Sequence, residues 1–293
     1  MHPTLEQLLS AAVVVTDGAW GTELQSRGLP TGACPDAWNL EQPHKVEDVA
    51  RCYVEAGSQV VLTNTFGANR VMLERHGLAD RAEEINRRGV ELSKQAAGDR
   101  AKVFGSIGPS GVMLMMGEVS SDELQDVFAQ QAQAMADAGA DGLVVETMSD
   151  PAEARLAVVA AKETGLPVVG CMVFDSGPQH DRTMMGTTPE QAAEALLEAG
   201  ADVIGSNCGR GVAGFVEICQ RLREAADGRP VWIKANRGLP ELRDGQAVYM
   251  QTAEQFAAEV PLLIASGARF VGGCCGTNPE FIQAVSQVVR QSG

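Results

Sequence analysis
DAGADGLVVET, residues 137–147, is the stretch that decides the fold. It reads as a helix end, a glycine, and an apolar run that closes on polar residues. The same phrase recurs as EAGSQVVLTNT from residue 55, ETGLPVVGCMV from 163, EAGADVIGSNC from 198 and ASGARFVGGCC from 265. Each glycine supplies a left-handed helix cap. Each apolar run lacks the alternation of a strand with one wet face, as expected of a parallel strand buried on both sides. The runs AVVVTDG, AKVFGSIGP and PVWIKANRG complete a set of eight strands, ending near Asp17, Asn64, Ser106, Glu146, Val173, Asn207, Ala235 and Gly273. Helix starts are written in Ser120 with Glu123, Asp150-Pro151 with Glu153, Thr188-Pro189 with Gln191, Thr252 with Gln255, and Asn278-Pro279. Eight βα units predict an α/β fold closed into a TIM (β/α)8 barrel, a single domain over residues 1–293. An open doubly wound sheet would want a glycine-rich fingerprint after the first strand, and the sequence has none. The longest connections, Thr22 to Pro43 and Pro109 to Val119, follow strand ends where a barrel builds its active site, and are expected to be lids.

A net charge of -15 argues against an electrostatic nucleic-acid partner, because phosphate neutralisation needs clustered Lys and Arg. The apolar run Ala11 to Val15 has no basic flank and no small-residue cleavage pattern. No segment approaches the length of a spanning helix, so no membrane association is expected. Seven cysteines in a long chain without a signal peptide argue against a disulfide framework. The expectation is a cytoplasmic protein with reduced, available thiols.

Three of those thiols stand at strand ends. Cys208 closes the sixth strand in GSNCGRG, and Cys274 and Cys275 close the eighth in GGCCGTNPE. In a barrel all three face one mouth. Three thiolates meeting at a point make a zinc site with one position open, as in catalytic centres, with Zn–S bonds of about 2.3 Å. From spacing alone two other readings stay open: Cys208 as a small core side chain, and the vicinal pair as incidental or as a strained disulfide, since no CxxC hairpin exists. Gly272, Gly273 and Gly276 are expected to free the backbone so that both adjacent side chains turn toward a common centre. Zinc held by three thiolates is electron-rich and a poor generator of hydroxide. It suits a substrate thiol, which it deprotonates while leaving it nucleophilic. The fitting reaction is alkyl transfer to sulfur, by in-line attack on an activated methyl group.

The motifs TDGAWGTELQ, TNTFGANRVMLERHGL, GSIGPSG, ETMSD, DRTMMGTTPE, GSNCGRG, KANRGLPE and GGCCGTNPE resemble, in order, those of the homocysteine S-methyltransferase family. They are most similar to the homocysteine-binding module of cobalamin-dependent methionine synthases, from about Asp17 to Phe281. The resemblance implies a TIM barrel, methylation of homocysteine to methionine, and Zn2+ held by Cys208, Cys274 and Cys275. It also implies that Asp17 and Glu146 bind the substrate's α-amino group, and that the turn Ala19-Trp20-Gly21-Thr22 offers backbone N–H groups to its carboxylate. Asn64 and Asn236 are expected to orient the site by hydrogen bonds and Asn207 to support a zinc ligand. Strand-end capping is the alternative for each of the three.

Trp20 stands where the family commonly has methionine, and Arg237 where alanine is usual. An arginine at the mouth would bind an anionic donor or partner, or narrow the acceptor pocket. No folate-binding barrel or cobalamin module follows the motifs, which predicts a stand-alone enzyme. Its donor would be S-methylmethionine, S-adenosylmethionine, or a methyl-corrinoid protein or separate donor-binding subunit supplied in trans. The competing readings are methylation of a different thiol, a corrinoid-linked demethylation, and, without catalysis, a zinc-binding scaffold subunit. His2, His44, His76 and His180 match no ligand or base position in these motifs and read as surface or loop residues. Cys34, Cys52, Cys171 and Cys219 lack converging partners, with Cys52 and Cys219 expected in the core. Met113, Leu114, Met115 and Met116 are expected to pack at the mouth.

Overall fold
The helix starts read from the sequence are built as hydrogen-bonded caps. Ser120 with Glu123, Thr188 with Gln191 and Thr252 with Gln255 each form a full capping box. Asp150 caps through Ala152 N, and Asn278 Oδ1 accepts from Phe281 N. Glu153 departs from the pattern. Its Oε1 accepts from Ser110 N and Oγ instead, tying its helix to the connection after the third strand.

This computed structural model describes residues 1–117, 119–238, 241–243, 246–248 and 250–292. Leu239 and Pro240 of KANRGLPE, and Glu118 of the connection after the third strand, lie outside the described residues. The strands are β1 (Val14–Val15), β2 (Val60–Leu62), β3 (Lys102–Ile107), β4 (Gly142–Met148), β5 (Val168–Met172), β6 (Val203–Asn207), β7 (Val231–Ala235), β8 (Glu241–Arg243), β9 (Gln246–Val248) and β10 (Ala268–Gly273). Eight of them form one parallel sheet in the order β1-β10-β7-β6-β5-β4-β3-β2, and a parallel bridge between Thr16 and Val60 joins its two ends. The sheet therefore closes into the expected barrel. Only β8 and β9 stand apart, as an antiparallel hairpin inserted after β7. No helix among the described residues is long and apolar enough to cross a membrane.

Side chains divide as the alternation of strands requires. Val14, Leu62, Phe104, Val144, Val169, Val203, Trp232 and Phe270 fill the barrel interior, which Leu5 and Leu8 of the first helix (Pro3–Leu8) plug from below. Trp232 stacks on Phe270 with ring centroids 5.1 Å apart. Val15, Val61, Val103, Val145, Ile233 and Val271 point outward, into the layer of helices. These side chains fill the barrel interior below the carboxyl ends of the strands, where the mouth opens.

The glycines of β10 serve a different need from the expected one. A Cβ on Gly272 would overlap Thr16 Oγ1 and approach Asp17 O to 2.7 Å, and one on Gly273 would overlap Thr277. Close packing of β10 on β1, rather than backbone freedom, excludes a side chain there. Of the three glycines flanking the cysteine pair only Gly276 uses a left-handed backbone, at φ +81. Gly272→Ala is expected to lower stability by about 1–3 kcal/mol through overpacking. Urea unfolding of the purified variant checks this, and an unchanged midpoint would contradict it.

Candidate metal and thiol centre
The centre is assembled by the end of β7, which brackets its two neighbours. Cys208 N donates to Lys234 O (3.1 Å), Cys274 N to Ala235 O (2.7 Å), Asn236 N to Arg210 O (2.7 Å) and Arg237 N to Cys275 O (3.0 Å). Since β6 and β10 both pair with β7, Cys208 and the vicinal pair arrive on either side of one strand. Cys208 Sγ lies 3.7 Å from Cys275 Sγ, and the three sulfurs all fall within 4.8 Å of one another. Sulfurs bound tetrahedrally at about 2.3 Å to one ion would stand about 3.8 Å apart. Asn236 hydrogen-bonds Cys208 as well, while its buried Oδ1 has no partner among the described residues. Three sulfurs beside an orphaned amide oxygen fit a thiophilic divalent cation such as zinc.

Without a cation the thiols share charge unequally. Hydrogen bonds from Cys274 and Cys275 push the Cys208 thiol down to about 3. Cys275, bonded to that thiolate, is pushed up to about 11, and Cys274 well above its ordinary value for the same reason.

Backbone strain sits beside the cluster. Cys208 has φ 65 and Thr147 φ 61, the latter unusual for a β-branched residue. Thr147 lies where the β4–β5 register slips between Val145 and Met148. Asn207 supports this bend: its Oδ1 accepts from Thr147 N (2.8 Å), and its Nδ2 donates to Thr147 Oγ1 (2.7 Å) and Glu146 Oε2 (3.3 Å). The same amide approaches Cys274 Sγ at 3.8 Å, so Asn207 links the carboxylate to the thiols. Glu146 Oε1 accepts from Ser106 Oγ at 2.5 Å, and burial raises the pKa of the carboxyl.

Asp17 is placed differently from Glu146. It is fully buried, with Oδ1 2.5 Å from Lys234 Nζ and Oδ2 accepting from Trp20 Nε1 and Leu62 N, each at 2.8 Å. Both oxygens are thus engaged by the protein's own donors. Burial would lower the Lys234 pKa, but Asp17 and Glu146 outweigh it and raise the net value. Lys234 escaped the sequence reading, although a lysine inside the apolar run VWIKA was the available signal.

A cavity of about 470 Å³ opens above these groups, lined by Trp20, Asp36, Phe66, Glu146, Lys234 and the three cysteines among others. Gly21 and Thr22 line it too and open the helix Gly21–Ser26, whose first N–H groups have no helical partner. Ala19 lines it, but its N–H is spent on Thr277 Oγ1 at 3.2 Å. Asn64 lines it as well and fastens the expected lid, donating to Pro35 O (2.8 Å) and Asn39 Oδ1 (2.9 Å). His76 also reaches the cavity edge. Arg237 turns away from the mouth: its Nε donates to Gln251 O at 2.7 Å and its guanidinium lies 4.7 Å over the Phe281 ring. Of the run expected to pack at the mouth, Leu114 packs against the core, whereas Met113, Met115 and Met116 stand 47%, 71% and 67% exposed. Cys219 is buried in the core as expected, but Cys52 is only half-buried, beside Arg27 and Asp48.

Three thiols and a buried carboxylate thus converge at the mouth of a (β/α)8 barrel. The chain belongs to the homocysteine S-methyltransferase family, whose sequence model matches residues 14–289. It is 32% identical over 306 residues to methionine synthase of Mycobacterium tuberculosis, covering 97% of this chain and 25% of that protein. It therefore spans about a quarter of the length of that relative. It is also 28% identical over 309 residues to betaine–homocysteine S-methyltransferase 1 of Bos taurus, covering 97% of this chain and 74% of the relative. The fold matches the metallated form of the homocysteine methyltransferase MmuM from Escherichia coli with a TM-score of 0.81 at 24% identity, covering 97% of this chain and 99% of that one.

The Asp17–Lys234 pair yields an expected outcome. Lys234→Met leaves a buried carboxylate uncompensated and should cost about 3–5 kcal/mol in urea unfolding, while Lys234→Met combined with Asp17→Asn should recover part of the loss. Additive losses in the double variant would mean that the two side chains do not act as a pair.

Proposed function
We propose that this chain is a zinc-dependent S-methyltransferase that methylates the thiol of homocysteine and releases methionine. The supporting observation is the convergence of Cys208, Cys274 and Cys275 at the mouth of a barrel of this family. Zinc bound by those residues would supply the charge that keeps an incoming thiol deprotonated near neutral pH while its sulfur stays nucleophilic. The remaining tasks fall to the protein's own groups. Glu146, oriented by Ser106 and Asn207, offers the cavity a carboxylate for the acceptor's α-ammonium group. Backbone N–H groups of Gly21 and Thr22 take the α-carboxylate, with the Lys234 cation beneath. Asp17 acts in this reading through Lys234 and Trp20, fixing both. Asn64 holds the lid in place, and Asn236 steadies Cys208. The acceptor sulfur forms its bond to the methyl carbon as the donor's bond to that carbon breaks, and the thiol proton passes to solvent.

Metal analysis tests the centre. One zinc per chain is expected, lost or much reduced in Cys208→Ala, Cys274→Ala and Cys275→Ala; normal zinc in any of these removes that residue as a ligand. Binding must also release protons. Near pH 7 the metal-free cluster holds Cys208 as thiolate, but Cys274 and Cys275 as thiols. Two protons therefore leave when all three ligate, and zinc affinity should fall about a hundredfold for each pH unit lowered between roughly 8 and 6. Calorimetry in buffers of different ionisation enthalpy counts those protons. Glu146→Gln should raise the homocysteine KM about tenfold or more with zinc content unchanged, an outcome that steady-state kinetics beside metal analysis reads directly.

A further inference from the structure
The ladder between β2 and β3 stops at Leu62 opposite Phe104, although β3 runs on to Ile107. Past that point two hydroxyls take over. Ser106 N donates to Thr63 Oγ1 at 3.0 Å, Thr65 Oγ1 lies 2.7 Å from Ser106 O, and the two threonine hydroxyls are 2.6 Å apart. The peptide groups fix the direction of this ring, because an N–H only donates and a carbonyl only accepts. Thr65 must therefore give its proton to Ser106 O, and Thr63 must give its own to Thr65. Met135 Sδ, 3.3 Å from Thr65 Oγ1, is the weaker acceptor.

Ser106 is thereby clamped at both its N–H and its carbonyl, and its own hydroxyl donates to Glu146 Oε1 at 2.5 Å. Asn207 holds the other oxygen of that carboxylate. The ring is in turn fastened from outside the barrel. Gln131, on the helix Ser121–Asp137, donates through Nε2 to Thr65 O at 2.7 Å, and Asn39 donates through Nδ2 to Asn64 O at 2.7 Å. All the links are dry, with Thr63, Thr65, Ser106 and Gln131 each at most 2% exposed. Hydrogen bonds shielded from water hold their geometry because no solvent competes for them. Thr63 and Ser106 line the mouth cavity, whereas Thr65 and Gln131 stand behind its wall and touch no substrate.

We propose that Thr65, held by Gln131, is a positioning residue that makes the acceptor site selective for a thiol carrying an α-ammonium group. The proposal rests on the reading above in which Glu146 takes the ammonium of homocysteine, and it names the residues that aim that carboxylate. A carboxylate fixed at both oxygens presents its remaining lone pairs in one direction. The ammonium therefore gains its full attraction only in the pose that also brings the acceptor sulfur to the three cysteines. Loss of the Thr65 hydroxyl leaves Ser106 O without its donor and the Thr63 proton without its acceptor, and Ser106 is then free to turn away from Glu146. Binding through the acceptor's sulfur and carboxylate, which Thr65 does not govern, stays as it was.

The test is calorimetric, on the zinc-loaded protein, with homocysteine and with 4-mercaptobutanoate, which is homocysteine without its amino group. Thr65→Val, which keeps the shape of threonine, should weaken homocysteine binding about fivefold, while the Kd of 4-mercaptobutanoate and the zinc content stay within about twofold of the parent. Thr65→Ser keeps the hydroxyl and should restore most of the loss. In a Glu146→Gln background Thr65→Val should weaken homocysteine by less than about twofold, because the group it aims is already altered. Gln131→Met, which removes the outer hold on Thr65, should weaken homocysteine in the same sense, about threefold, and keeps the proposal testable if Thr65→Val fails to fold. An unchanged homocysteine Kd in both Thr65→Val and Gln131→Met overturns the proposal, as does an equal loss for 4-mercaptobutanoate or an undiminished loss in the Glu146→Gln background. Each of those results leaves homocysteine as the acceptor, whereas a parent protein that does not bind homocysteine would strike the underlying reading and this proposal with it.

Discussion
The end of β7 is the part on which the rest depends. Its backbone accepts from Cys208 on one side and from Cys274 on the other, and Asn236 N and Arg237 N donate back across both seams. Adjacent strands are about 4.8 Å apart, so residues flanking one strand can bring long side chains together only when both registers are held. Here they are held by hydrogen bonds that the barrel closes for its own stability. The same strand carries Lys234 inward to Asp17, so one segment sets both the thiol geometry and the charge balance beneath it.

That charge balance explains how so much polarity is tolerated in a dry interior. Asp17 and Lys234 neutralise each other with both carboxylate oxygens bonded, and the pair is sealed below the mouth. Glu146 is bonded to Ser106 and Asn207 but has no direct ion-pair partner among the described residues. The difference sorts the two carboxylates that the family resemblance treats alike: one is committed to holding the floor, the other is available above it. Asn207 then couples the available carboxylate to Cys274, so a shift in either is felt by the other.

Much of this was legible in the chain. The repeated glycine-to-strand phrase marked the parallel strands, and three of the four S/T/D caps with Glu or Gln at the third position formed the reciprocal boxes they spell. The fourth did not, because Ser110 competed for Glu153 across a loop, and no local pattern announces such a partner. The strand-end positions of Cys208 and of Cys274 and Cys275 followed once eight strands were counted. Where the reading missed, tertiary contact had overridden local character. Met115 is apolar yet exposed, Arg237 is charged yet stacked on Phe281, and Cys52 lies in a helix but on a face with Arg27 and Asp48.

The sequence alone therefore determined the periodic part of the protein: which segments are strands and helices, that they alternate eight times, and which side chains end each strand. These follow from local physics, from capping, glycine's left-handed backbone and the apolar runs of doubly buried strands. The tertiary structure alone decided which groups at the mouth are spent and which are free. That Asp17 is taken by Lys234 and that Gly272 is small because Thr16 lies against it depend on residues distant in the chain. Their encounter is set by barrel closure, and no local spacing encodes it.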